Sequence, residues 1–196
     1  MTAPFSRLND TVAFGWPLKG FSPWLRVMAR NEVNSIFVPD RKLIASRDWA
    51  SVRAGARELR DMDLLRYVNR YWNQSPYVDD LINWGQEDYW ETPDEFVRLA
   101  GDCEDYAIVK YFTLRELGMD ADHMRIIVVK DAMRSLPHAV LGVELGGRVM
   151  VLDNIYNAIV PFTKLRQYTP QYCLNETAAW VFAKGKKNEK AQAASR

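Results

Sequence analysis

GDCEDYAIVKYFTLRELG, Gly101–Gly118, is the stretch whose reading decides the rest of the chain. Asp102 stands where an N-cap is wanted, Cys103 follows as the first helical residue, and Gly118 supplies the stop. Ala107, Ile108, Tyr111, Phe112 and Leu114 cover most of the circumference between them, which marks a helix enclosed by a domain rather than laid on its surface. The spacing predicts a central buried helix over 103–117 with a cysteine at its positive end. That position favours a thiolate, while Asp102, Glu104 and Asp105 oppose it.

Downstream the apolar period changes. MRIIVVKD (124–131), HAVLGVEL (138–145) and RVMVLDN (148–154) are short runs rich in β-branched residues, and Gly146-Gly147 is a two-residue hairpin signal. With that turn Leu145 faces Arg148, Val143 faces Met150 and Val140 faces Asp153. His138 and Asp153 then become diagonal neighbours on one side of the sheet, and a slip of one residue would exchange Asp153 for Asn154. Two uses of such a pair stand side by side. One is a structural hydrogen bond; the other is a carboxylate that orients His138 to take a proton from Cys103. Further strands are expected around VPFTKL and AAWVFA, and the tail from residue 184 to 196 is charged and expected to be disordered.

Upstream the first half reads as mostly helical. Ser22 and Pro23 fit an N-cap and first helical position, and residues 48–72 carry helical periodicity with a break near Asp61–Asp63. Residues 73–91 read as an ordered loop with one short strand, and Thr92-Pro93-Asp94-Glu95 reads as a capping box for a short helix ending at Gly101. The expected architecture is α+β: N-terminal helices and the cysteine-bearing helix packed on an antiparallel sheet, in one domain over residues 1–183.

Composition bounds the function. The 196 residues carry a formal net charge of +1, which argues against nucleic acid as a partner, and no apolar run approaches the roughly 20 residues of a membrane-spanning helix. Cys103 and Cys173 are the two cysteines, too few for a zinc site; Cys173 suits a small core residue, and a Cys103–Cys173 disulfide is the alternative that would disarm a nucleophile. His123 is expected to cap a helix end or face solvent. The three acids around Cys103 suit a helix start; a hard divalent cation such as calcium is a second reading, without the spacing of an EF-hand.

The run from Asp79 to Gly118, with PHAVL and VLDN downstream, resembles the bacterial transglutaminase-like cysteine peptidases, in particular their periplasmic LapG type, over about residues 67–180. The resemblance implies a papain/transglutaminase-like fold, a Cys103–His138–Asp153 triad and calcium held by Asp102, Glu104 and Asp105. It further implies cleavage of the N-terminal region of a large surface adhesin, which regulates biofilm, and sequestration by an inner-membrane cyclic di-GMP receptor. MTAPFSRLND lacks the pattern of an export signal, so the periplasmic address implies a leader already removed. The Cys103 N–H is expected to help hold an oxyanion, with Gln86 or Trp84 as a side-chain donor. Transglutaminase-type acyl transfer and a non-catalytic binding module are the rival readings.

Overall fold

In the computed structural model, which describes residues 3–185, two strands precede every α-helix: β1 (Arg7–Leu8) and β2 (Thr11–Trp16). The sequence reading assigned no strand to these residues, while the mostly helical first half is as expected. Helices α1 (Ser22–Val33), α2 (Trp49–Ala56), α3 (Asp61–Trp72), α4 (Asp80–Trp84), α5 (Pro93–Leu99) and α6 (Cys103–Glu116) follow. Strands β3 (Met124–Asp131), β4 (Leu136–Leu145), β5 (Arg148–Leu152), β6 (Val160–Pro161), β7 (Tyr168–Leu174) and β8 (Ala179–Lys184) complete the order. Only Lys184 and Gly185 of the expected tail fall within the described residues, and Lys184 ends β8; residues 186–196 lie outside them.

Several boundaries differ from the sequence reading, each for a local reason. Ser22 is the first residue of α1 and makes no capping bond, whereas the Asp48 side chain caps α2 by accepting from the Ser51 N–H at 2.9 Å. The break between α2 and α3 falls before Asp61, because Asp61 and Asp63 stay inside the first turn of α3, where acids suit the positive helix end. The region read as a loop contains α4, closed by Gly85 in the left-handed conformation at φ 66°. The capping box of Thr92 and Glu95 forms as expected.

The strands make one antiparallel sheet in the order β1-β2-β8-β7-β3-β4-β5-β6. Gly146 and Gly147 both take positive φ, 58° and 71°, and the turn sets Leu145 opposite Arg148 and Val143 opposite Met150 as expected. The ladder stops at Leu141–Leu152, so Val140 and Asp153 do not pair. Asp153 leaves the strand because its own Oδ1 accepts from the Ile155 N–H at 3.0 Å, a side-chain turn that draws the chain out of register.

One face of the sheet, with Ile126, Leu141, Val143 and Leu152, packs on α6 and on Trp24, Leu65 and Trp72. Ile108, Tyr111 and Leu114 are fully buried, as the all-round apolar pattern of α6 requires. The opposite face carries a smaller cluster of Val129, Val140 and Val151, closed by Phe5 and Leu8. Phe5, in the turn before β1, and Leu8 of β1 therefore cover part of the side that the helices leave open.

Candidate active site

The helix bearing the cysteine begins where it does because Asp105 reaches back. Its Oδ2 accepts from the Asp102 N–H at 3.0 Å, and its Oδ1 accepts from the Glu91 N–H at 2.7 Å. A Cβ at Gly101 would overlap the Asp105 carboxylate, so glycine is required by that close approach. Gly101 also bridges Tyr77, and its carbonyl accepts from the Val78 N–H at 3.0 Å. The GDCED motif is thus a backbone junction as well as the place of the candidate nucleophile.

Cys103 donates its thiol to Glu104 Oε2 at 3.1 Å. Enclosure of the sulfur pushes the thiol well above its ordinary range, Glu104 and Asp102 add to the rise, and the Ala139 N–H opposes it. That last contact places Cys103 against β4 at the residue following His138, just beyond the final β4–β5 pair.

His138 and Asp153, 5% and 3% exposed, meet through Nε2 and Oδ1 at 3.0 Å. Burial acts to raise the Asp153 carboxyl, but the bonds from His138, the Ile155 N–H and Tyr168 outweigh it and hold it below its ordinary range. An ionised Asp153 only accepts, so Nε2 carries the proton and Nδ1 is left as the basic nitrogen. Asn73, the residue after α3, donates to the Asp153 carbonyl at 2.9 Å and fixes the segment from behind.

The acids divide into adjoining groups that share Asp80. Asp80, Asp88 and Glu104 bring one oxygen each within 4.8 Å of one another, as do Asp80, Glu91 and Asp105; Asp102 and Glu104 lie together beside Cys103. Burial first, then neighbouring charge, raises the Asp80 carboxyl to about 6 and Glu104 to about 9. Burial likewise raises Glu91 to about 7. Among the described residues none of these acids pairs with a lysine or arginine. Asp80 Oδ1, Glu91 Oε2 and Asp102 Oδ1 are buried with no hydrogen-bond partner. A set of unpartnered hard oxygen donors with surplus negative charge fits calcium rather than a soft metal.

Sequence reasoning missed Asp80, Asp88 and Glu91, although the acid-rich run of residues 79–91 was a signal for them. It also missed Tyr168, which donates to Asp153 Oδ2 at 2.7 Å, and Lys110, fully buried with no partner for Nζ. Trp84 Nε1 is committed to Glu91 Oε1 at 2.7 Å and its ring stacks on Tyr89, which leaves it no hydrogen for an oxyanion. Gln86 is exposed. His123 faces solvent beside Glu144. Cys103 and Cys173 are both free, and Cys173 is fully buried with its thiol pushed up to about 12 by burial. Cys103 is only half-buried, so access rather than acidity separates the two thiols, and iodoacetamide is expected to alkylate Cys103 and spare Cys173 in the folded protein, as read by peptide mass mapping.

A cysteine at a helix start beside a hydrogen-bonded His–Asp pair has parallels elsewhere. The family model of bacterial transglutaminase-like cysteine proteinases matches residues 45–188. The chain belongs to that family. The proteinase is similar to calcium-bound LapG of Legionella pneumophila, at 27% identity over 80% of this chain and 86% of that one, with a TM-score of 0.64. A second LapG structure from the same organism matches at 26% identity over 87% and 93% of the two chains, TM-score 0.64. An EGTA-treated form matches at 26% over 86% and 94%, TM-score 0.63. Among curated proteins none matches the chain in sequence. The chain is a cysteine peptidase of mixed helices and antiparallel sheet, and no helix among its described residues is long and apolar enough to cross a membrane.

Proposed function

We propose that this chain is a calcium-dependent cysteine endopeptidase with Cys103 as nucleophile, His138 as general base and acid, and Asp153 as the group that orients His138. The observation that carries this reading is the 3.0 Å bond between His138 Nε2 and Asp153 Oδ1, set at the strand position where Cys103 touches β4. Cys103 gives its proton to His138 Nδ1 and attacks the peptide carbonyl, while the Cys103 N–H at the helix start holds the oxyanion. The imidazolium protonates the leaving amine; it then takes a proton from water, which attacks the thioester and frees Cys103.

Asp102 and Glu104, with Asp80 and Asp88, are the side chains suited to hold calcium. Asp105, a ligand by the family resemblance, spends both oxygens on backbone N–H groups and lies in the adjoining group. Bound calcium would supply positive charge that offsets the repulsion of these carboxylates on a thiolate. Glu104, which accepts the Cys103 thiol, is one of those carboxylates. The likeness to calcium-bound LapG supports the cation.

The finer reading follows the LapG resemblance: a periplasmic enzyme that cleaves the N-terminal region of a large surface adhesin and is sequestered by a cyclic di-GMP receptor in the inner membrane. Incubation with secreted adhesin fragments from the source organism, read by gel and product mass, tests it. Expected are two products whose masses sum to the substrate plus one water, loss of cleavage with EGTA and its return with excess calcium. Crosslinked products would favour acyl transfer, and cleavage indifferent to EGTA would return the acids to helix capping.

A further inference from the structure

Asp153 is held at three points, and only one of them is the histidine. Oδ1 accepts from His138 Nε2 and from the Ile155 N–H, each at 3.0 Å, while Oδ2 accepts from the Tyr168 hydroxyl at 2.7 Å. Tyr168 is 1% exposed and begins β7, a strand that pairs with β3 and not with the β4–β5 hairpin. Its ring lies 5.5 Å from the imidazole, tilted by 53°, so one side chain touches both members of the pair. Its backbone is fixed in turn: the Asn9 side chain donates to the carbonyls of Tyr168 and Leu165 at 3.0 and 3.2 Å.

We propose that Tyr168 is a positioning residue of the proteolytic reaction, whose hydroxyl fixes the plane of the Asp153 carboxylate and sets how strongly Oδ1 accepts from His138. This rests on the triad reading above. A carboxylate whose far oxygen is unbound can turn about its χ2 axis, and the negative charge then concentrates on the remaining acceptor oxygen. Binding Oδ2 removes both freedoms. A tyrosine kept only to fill space would be indifferent to the acidity of its hydroxyl, whereas one that sets how Oδ1 accepts would not.

The test uses the full chain with calcium and two changes at one position: Tyr168→Phe, and site-specific replacement of Tyr168 by 3-fluorotyrosine, a stronger donor of nearly the same shape. The His138 Nε2 proton is followed by low-field NMR; with His123 as the sole other histidine, His123→Gln assigns it. Loss of the hydroxyl is expected to move this resonance downfield, because Oδ1 then accepts more strongly, and the stronger donor is expected to move it upfield. Tyr168→Phe should lower kcat by roughly tenfold to a hundredfold with KM unchanged. Shifts in opposite directions support the proposal. Unmoved resonances, or equal shifts in one direction, overturn it, and if Tyr168→Phe fails to fold the fluorinated chain decides alone. The resonance reads the Asp153–His138 bond whether or not the pair is catalytic. Cleavage that survives Cys103→Ala would therefore sink the triad while leaving the hold of Tyr168 on Asp153 measured.

Discussion

Cys103→Ala leaves cleavage at least about 10⁴-fold below the parent chain in kcat/KM, with the folded state intact. The size follows from the chemistry: without sulfur no thioester forms, and the oxyanion donor and binding surface that remain stabilise only uncatalysed attack by water. Asp153→Asn is expected to fall nearly as far, on the order of 10³- to 10⁴-fold, because an amide at that place can present N–H to Nε2 and drive the imidazole into the wrong tautomer. Product release by gel measures both, and thermal unfolding separates catalytic loss from collapse. If Cys103→Ala kept a tenth of the activity, the nucleophile would have to be sought elsewhere.

Lys110→Met should stabilise the fold. Lys110 lies on α6, fully buried; its Nζ has no hydrogen-bond acceptor among the described residues, and the Tyr106 ring lies 5.4 Å away. Burial pushes the amine down from 10.5 to about 7, with the Asp153 charge pulling weakly the other way. The unfolded chain therefore binds a proton that the native chain releases between about 7 and 10.5, and stability gained by deprotonation rises with pH across that window. At neutral pH the buried amine costs on the order of a few kcal/mol, and methionine of similar volume removes that cost. Urea unfolding at pH 7 and pH 10 should show a stabilised variant at pH 7 and a smaller difference at pH 10. An equal or lower midpoint at pH 7 would mean that Lys110 holds a partner worth more than its burial.

Much of the architecture was legible because local pattern and tertiary packing agree. The apolar circumference of α6, the double glycine of the β4–β5 turn and the capping box of α5 each specify their own conformation. The hairpin also brought His138 and Asp153 to one side without knowledge of the rest of the sheet. What stayed hidden depends on distant partners. β7 contains Pro170 although it is an interior strand; the proline is tolerated where the β3–β7 ladder shifts register at Val128 and Val129. β2 has no signal stronger than its pairing with β8, at the other end of the chain. Asp80, Asp88 and Glu91 come near Cys103 only because a loop folds back, and no period records that. Tyr168 and Lys110 carry no local signal in the sequence; only their neighbours in the fold single them out.

His138 and Asp153 sit 15 residues apart, and Tyr168 follows after 15 more. Such a unit can close early in the life of a nascent chain, since its contacts are local. The sulfur belongs to a different segment and reaches β4 only when α6 settles against the sheet. If His138 and Asp153 act as proposed, an emerging polypeptide can thus carry a finished proton relay and remain harmless. Substitutions that loosen the helix-to-sheet seam should silence hydrolysis well before circular dichroism registers any loss of helix or strand.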